Sequence, residues 1–113
     1  MEPIDRVSEL FRNQRAVRTF TADPVPDDVL LTVLDAATRA PSGSNTQPWR
    51  FLAIRDQAVK EALSLEYERA QAERAGRAAP SSEQARAGIL ARAPVLVVPC
   101  VRVPGRKIGR AHV

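Results

Sequence analysis

The chain of 113 residues is 44% hydrophobic and 27% charged, the proportions of a soluble globular domain, which argues against disorder. Its net charge of +4 belongs to the tail, because residues 102–113 carry four basic side chains and no acidic ones, which leaves 13 of each before them. We therefore expect no nucleic-acid partner, and the absence of a long apolar run predicts no membrane span and a cytoplasmic location. One cysteine and one histidine, His112 in the tail, are too few for a metal site or a histidine-based triad, so we assign no metal ligand and no catalytic residue.

Two amphipathic helices are predicted in the first forty residues. Apolar side chains recur at helical spacing over residues 3–14 and again over 29–40, where the broad stripe predicts a core helix that ends at Pro41. Between them, Arg15 and Arg18 lie three residues apart, so both guanidiniums could face a phosphate if the first helix continued through them. The ordinary alternative is a pair of solvated arginines.

A polar loop separates the second helix from the first predicted strand. Residues 40–49 read Ala-Pro-Ser-Gly-Ser-Asn-Thr-Gln-Pro-Trp, and both prolines oppose helix formation. The small residues leave backbone N–H groups accessible to a flat polar ligand or a phosphate. The alternative is an ordinary connector, which is the usual role of such a loop.

The remaining chain alternates strand and helix signals. A strand is predicted over residues 49–55 and another over 93–101, whose continuous apolar run predicts burial on both faces. Asp56 is the expected N-cap of the following helix, while the polar stretch 66–79 predicts an exposed helix or a mobile insertion. Two strands are too few for an independently stable sheet, so either partners complete the fold or the chain is incomplete. With no evident acid–base pair, an enzyme built this way would need a bound cofactor to carry the reaction.

The order of these motifs resembles the N-terminal part of the nitroreductase family of FMN-dependent oxidoreductases. The loop 40–49 matches the family pattern A-P-S-x-x-N-x-Q-P-W, and an R-x-x-R-x-F motif precedes it at residues 15–20. The resemblance implies an α+β fold, a sheet flanked by helices, which is incomplete here and reduced to helices plus about two strands. It also implies a homodimer with FMN at the interface, and transfer of hydride from NAD(P)H through the flavin to a nitroaromatic, quinone or similar small-molecule acceptor.

The same resemblance assigns cofactor-binding residues in two segments. The early arginine segment would contact the FMN phosphate and the polar edge of the flavin, and the loop would serve the flavin of the other subunit with Gln47 in support. The residues so assigned are Arg15, Ala16, Arg18, Pro41, Ser42, Gly43, Ser44, Asn45 and Gln47. Many members have Arg in place of Gln14 and Ser in place of Ala16, which predicts a weaker or relocated grip on the phosphate.

The resemblance also sets expectations for the ends of the domain. Residues 1–107 are expected to form the N-terminal part of a single domain that is truncated and inactive alone. Residues 108–113 have no counterpart in the family pattern. They match the translation, in one reading frame, of a common short-read sequencing adapter, so we expect them to be non-native. Codons that differ from the adapter would refute that interpretation. The alternative function is a non-catalytic helical interaction module built on residues 66–79.

Overall fold

The computed structural model describes residues 2–103 and consists of helices and one pair of strands. In chain order the elements are α1 (Pro3–Asn13), α2 (Asp27–Ala37), β1 (Trp49–Ile54), α3 (Gln57–Arg74), α4 (Ser82–Ala87), α5 (Ile89–Arg92) and β2 (Leu96–Val101), with a 3-10 turn at Gly43–Asn45. Within the described range, this confirms the predicted α+β class of helices plus about two strands. The tail at 108–113, predicted to be non-native, lies outside the described residues.

The two strands pair antiparallel and bring the ends of the chain segment 49–101 together. The register runs from Trp49 opposite Val101 to Ile54 opposite Leu96. The prediction that the second strand is buried on both faces is wrong, because Val97 and Val98 remain 39% and 38% exposed. The continuous apolar run places apolar side chains on both faces of β2. Within residues 2–103, however, β2 pairs with β1 alone, and neither face is fully covered.

The core lies between α3, α4 and α5, and most of its buried side chains are small. Ser64 on α3 is fully buried, and its hydroxyl donates to the Ala85 carbonyl oxygen of α4 at 2.6 Å. The buried apolar residues on this side are all alanines: Ala72, Ala85, Ala91 and Ala93. Such residues let helix backbones approach closely, but they remove little apolar area from water.

The helix boundaries follow local capping rules. Asp56 accepts from the amides of Ala58 and Val59, which confirms the predicted N-cap of α3. Ser81 opens α4 in a reciprocal capping box with Gln84. The stretch from residue 66 is the continuation of α3, which ends before Gly76 with its left-handed φ of 66°.

Helices α1 and α2 lie largely outside this core. None of the eleven residues of α1 is buried. The prediction that α2 is a core helix is wrong, since Leu30 alone is buried and Val33 is 57% exposed. The helix is instead held at its start by Arg55 at the end of β1, which contacts the Asp27 carboxylate and donates to the Val25 carbonyl oxygen at 2.6 Å.

Candidate functional site

The loop between α2 and β1 is held by its own side chains. The Ser42 hydroxyl accepts from the Gln47 amide at 3.0 Å, and the Thr46 hydroxyl donates to the Gly43 carbonyl oxygen at 3.0 Å. Ser44, Asn45 and Gln47 all have left-handed backbones, with φ of 51°, 52° and 49°. Three such L-residues in four positions are uncommon, and segments of this kind concentrate at ligand-binding sites.

Three successive amides of this loop point to a role in binding. The amides of Asn45, Thr46 and Gln47 are used within the loop. The amides of Ser42, Gly43 and Ser44 donate to no protein acceptor in the described part of the chain. Successive N–H groups without a protein acceptor are available to donate to anionic or carbonyl oxygens of a ligand. Apart from its chain neighbours, no atom of residues 2–103 lies within 4 Å of the position that a Cβ on Gly43 would take, so the described loop is open on that side.

A cleft of about 630 Å³ lies against the loop. Its walls come from the end of α2, the loop and the start of β1: Asp35, Thr38, Arg39, Ala40, Pro41, Asn45, Gln47 and Trp49. Gln47 donates its side-chain nitrogen to the Asn45 side-chain oxygen at 3.2 Å, which orients Asn45 at the cleft. Asp35 and Arg39 form an exposed ion pair at 3.4 Å along the α2 wall.

The early arginines are not arranged as one helical face. Helix α1 ends at Asn13 and Gln14 is already extended, so the condition under which one helical face would carry both Arg15 and Arg18 is not met. Arg15 turns back and donates to the carbonyl oxygens of Arg12 and Gln14 at 2.9 and 2.7 Å. It therefore serves the end of α1, where orphan carbonyl groups attract a cation.

The structure places the predicted residues of the loop at one cleft, but it does not bring the early arginines to them. Pro41, Asn45 and Gln47 line one cleft, while Ser42, Gly43 and Ser44 form the adjoining backbone. No hydrogen bond joins residues 15–18 to residues 41–47 within the single chain described between residues 2 and 103. Sequence reasoning missed the α2 wall, although an Asp and an Arg spaced i, i+4 just before the loop were a signal for it.

Two features are absent from residues 2–103. None of the helices described there has the length and apolar character to cross a bilayer. No group of three or more His, Cys, Asp or Glu side chains in that range could hold a metal ion.

Comparison with known proteins identifies the family. The model of the nitroreductase family matches residues 11–112. An NADH dehydrogenase of Thermus thermophilus is 50% identical over 50 residues, which are 44% of this chain and 24% of that protein. Iodotyrosine deiodinase 1 of Rattus norvegicus is 38% identical over 55 residues, which are 49% of this chain and 19% of that protein.

A solved structure extends the likeness to three dimensions. The crystal structure of oxidised iodotyrosine deiodinase bound to FMN and 3-iodo-L-tyrosine aligns with a TM-score of 0.60 and 26% identity, over 82% of this chain and 55% of that one. The chain spans about a quarter or less of the curated relatives described above and about half of this structure. The family match covers most of the 113 residues, and the fold agrees with it. The sequence resemblance is therefore confirmed, and the chain belongs to the nitroreductase family.

Proposed function

We propose that the protein carrying this chain is an FMN-dependent oxidoreductase that moves hydride from NADH or NADPH through the flavin to a nitroaromatic, quinone or similar acceptor. The observation that carries the proposal is the loop 41–47, with its unpaired amides and a polar side chain beside a cleft. Family membership and the likeness to an FMN-bound structure support the choice of cofactor. The name of the Thermus relative supports a nicotinamide hydride donor.

The residues present fit a flavin mononucleotide. The amides of Ser42, Gly43 and Ser44 can donate to the carbonyl oxygens and ring nitrogens of a flavin edge, and the lack of a side chain at Gly43 leaves room for a flat ring. Asn45 offers both a donor and an acceptor to such an edge. Arg18 is exposed and makes no ion pair within residues 2–103, so it can supply the charge that a phosphate needs.

Bound FMN would supply the redox chemistry, since its ring accepts hydride and gives up reducing equivalents to a second molecule. The chain's own residues bind and orient. Gln47 holds the Asn45 side chain through the 3.2 Å hydrogen bond, and the Ser42 hydroxyl fixes the backbone at Gln47. Donors held rigidly in this way stabilise negative charge on a bound ring without reorganising. No side chain of the loop is suited to proton transfer near neutral pH, which agrees with chemistry that belongs to the cofactor.

Flavin content tests the proposal directly. The full-length protein is expected to purify yellow, and Asn45→Ala or Arg18→Gln is expected to weaken FMN binding by about tenfold or more, the effect of one lost charge-assisted or buried hydrogen bond. Gln71→Ala and Arg74→Gln remove the same side-chain types from α3 and serve as controls. Equilibrium titration of apoprotein with FMN measures the change. A colourless protein that gains no flavin absorbance on titration would refute the proposal.

We also propose that the protein is a homodimer whose interface includes α1. The side chains of Ile4, Leu10 and Phe11 are 70%, 73% and 78% exposed along one face of this helix. The radius of gyration is 18.0 Å, whereas a compact chain of this length has about 13 Å. A helix face with large apolar side chains exposed to this extent usually marks an interaction site. Sedimentation velocity of the full-length protein should give a dimer mass, and a monomer at micromolar concentration would contradict this part of the proposal.

The deiodinase relatives favour a second candidate for the acceptor. The similarity to iodotyrosine deiodinases in both sequence and structure makes a halogenated aromatic, reduced with release of halide, the alternative to a nitroaromatic or quinone. The two candidates share the flavin and differ in the product. Halide release from 3-iodotyrosine under reducing conditions, measured beside the reduction of a nitroaromatic and a quinone, separates them.

A further inference from the structure

A second cleft, of about 370 Å³, adjoins the loop and is used by none of the roles above. It shares Gln47 with the cleft described earlier, and its other walls come from the start of β1 and the end of β2. The lining residues are Thr46, Gln47, Pro48, Arg50, Arg102 and Val103. Two arginines, Arg50 and Arg102, therefore line one small cavity. We call it the arginine cleft.

The strand register explains why the two arginines share this cleft. Arg50 lies opposite Cys100, and the Arg102 amide donates to the Pro48 carbonyl oxygen at 2.7 Å, which continues the same register past the strand end. Arg50 and Arg102 are thus diagonal neighbours on one face, a relation that places Cα atoms about 7–8 Å apart. Two cationic side chains anchored this close on one face repel each other, and an anion bound between them would offset that repulsion.

No carboxylate of the described chain balances these charges. The ion pairs found between residues 2 and 103 are Asp35–Arg39, Asp27–Arg55, Glu66–Arg69 and Glu61–Arg86. Arg50 donates one terminal nitrogen to the Trp49 carbonyl oxygen at 2.9 Å, which fixes its side chain and leaves its other donors available.

We propose that the arginine cleft binds the anionic group of a small molecule that reaches the flavin site, either a carboxylate on the electron acceptor or a phosphate of the nucleotide hydride donor. Both groups match the planar fork of a guanidinium and take two parallel hydrogen bonds from it. Gln47 lines both clefts, so one ligand can extend from the arginine cleft to the loop. The identity of the molecule rests on the proposed function, whereas anion binding by the two arginines does not.

Calorimetric titration of the full-length protein with inorganic pyrophosphate and with benzoate tests anion binding without turnover. Arg50→Gln and Arg102→Gln should each weaken the binding of at least one of these anions by about tenfold, the usual effect of losing one charge-assisted pair. Arg50→Lys, which keeps the charge and loses the fork, should weaken it less. Arg74→Gln is the matched control and should leave both affinities unchanged. Thermal melting of each variant confirms that it is folded.

The two sources of the anion are separated by kinetics. If the carboxylate of the acceptor is bound, the variants raise KM for 4-nitrobenzoate and leave KM for its methyl ester unchanged. If a phosphate of the donor is bound, KM for NADH or NADPH rises and the acceptor values stay constant. Pyrophosphate and benzoate affinities that match the wild type in both glutamine variants would overturn the proposal, whatever the protein's redox activity proves to be.

Discussion

Replacing Gly88 by Ala probes the close packing of α3 against the α4–α5 junction. A Cβ at this position would clash with the Ser64 hydroxyl oxygen and lie 3.1 Å from the Ala85 carbonyl oxygen. The backbone itself is ordinary for any residue, with φ −66° and ψ 156°, so the effect isolates the steric conflict. Ser64 is fully buried, and its rotation would break the 2.6 Å hydrogen bond to Ala85.

The expected loss can be worked from these contacts. Overpacking of a closely packed site costs about 1–3 kcal/mol, and the displaced hydrogen bond adds about 1 kcal/mol. We therefore expect Gly88→Ala to lower the free energy of unfolding by about 2–4 kcal/mol. Urea denaturation of the full-length protein, read by far-ultraviolet circular dichroism, measures it.

Two variants make the reasoning refutable. Gly43→Ala, measured like the others in flavin-free protein, is the control, because no atom of the described chain beyond its neighbours lies within 4 Å of its would-be Cβ, and its effect should stay within about 0.5 kcal/mol. Ser64→Ala removes the hydroxyl that the new methyl group strikes. In that background Gly88→Ala should lose at least about 1 kcal/mol less stability than it does alone, as a coupled pair requires. A cost at Gly88 equal to that at Gly43, or strict additivity with Ser64→Ala, would show that the contact is not there.

Two further predictions concern the ends of α3. Asp56→Ala should destabilise the protein by about 1 kcal/mol, because it removes the acceptor for two helix amides. Asp23→Ala, in an exposed loop, is the control, and equal unfolding midpoints would contradict the cap. Gly76→Ala should cost about 1 kcal/mol through its left-handed φ of 66°, with open space around it. In contrast to Gly88→Ala, this loss should be recovered largely by Gly76→Asn, which tolerates that conformation, and a fully destabilised Asn variant would refute a backbone cause.

Local signals in the sequence located α1, α2, the start of α3 and both strands to within a few residues. Asp56, Gly76 and Ser81 act within a turn of the chain, so their effects can be read without knowing the fold. Burial could not be read in the same way. The apolar stripe of α2 and the apolar run of β2 specify surfaces that avoid water, but not whether a neighbour from the same chain covers them.

In the candidate site, too, features encoded by neighbouring residues could be predicted, whereas features that depend on the folded chain could not. The motif in residues 40–49 located the loop, because its small and polar residues are adjacent in sequence. Asn is one of the residues that adopts a left-handed backbone, but nothing in the sequence predicted three such residues, Ser44, Asn45 and Gln47, in one short loop. The arginine cleft depends on the register between strands far apart in the chain, which no local pattern specifies.

The internal bonds of the loop also bear on how fast and how tightly it can bind. A segment tied by Ser42 to Gln47 and by Thr46 to Gly43 has already lost most of its conformational freedom before a ligand arrives. Binding then need not be opposed by the entropy of ordering the loop, and encounter with the ligand need not wait for a rare conformation. A substitution such as Ser42→Ala would leave every proposed contact in place, yet it should slow association and weaken affinity by restoring disorder to the unbound state.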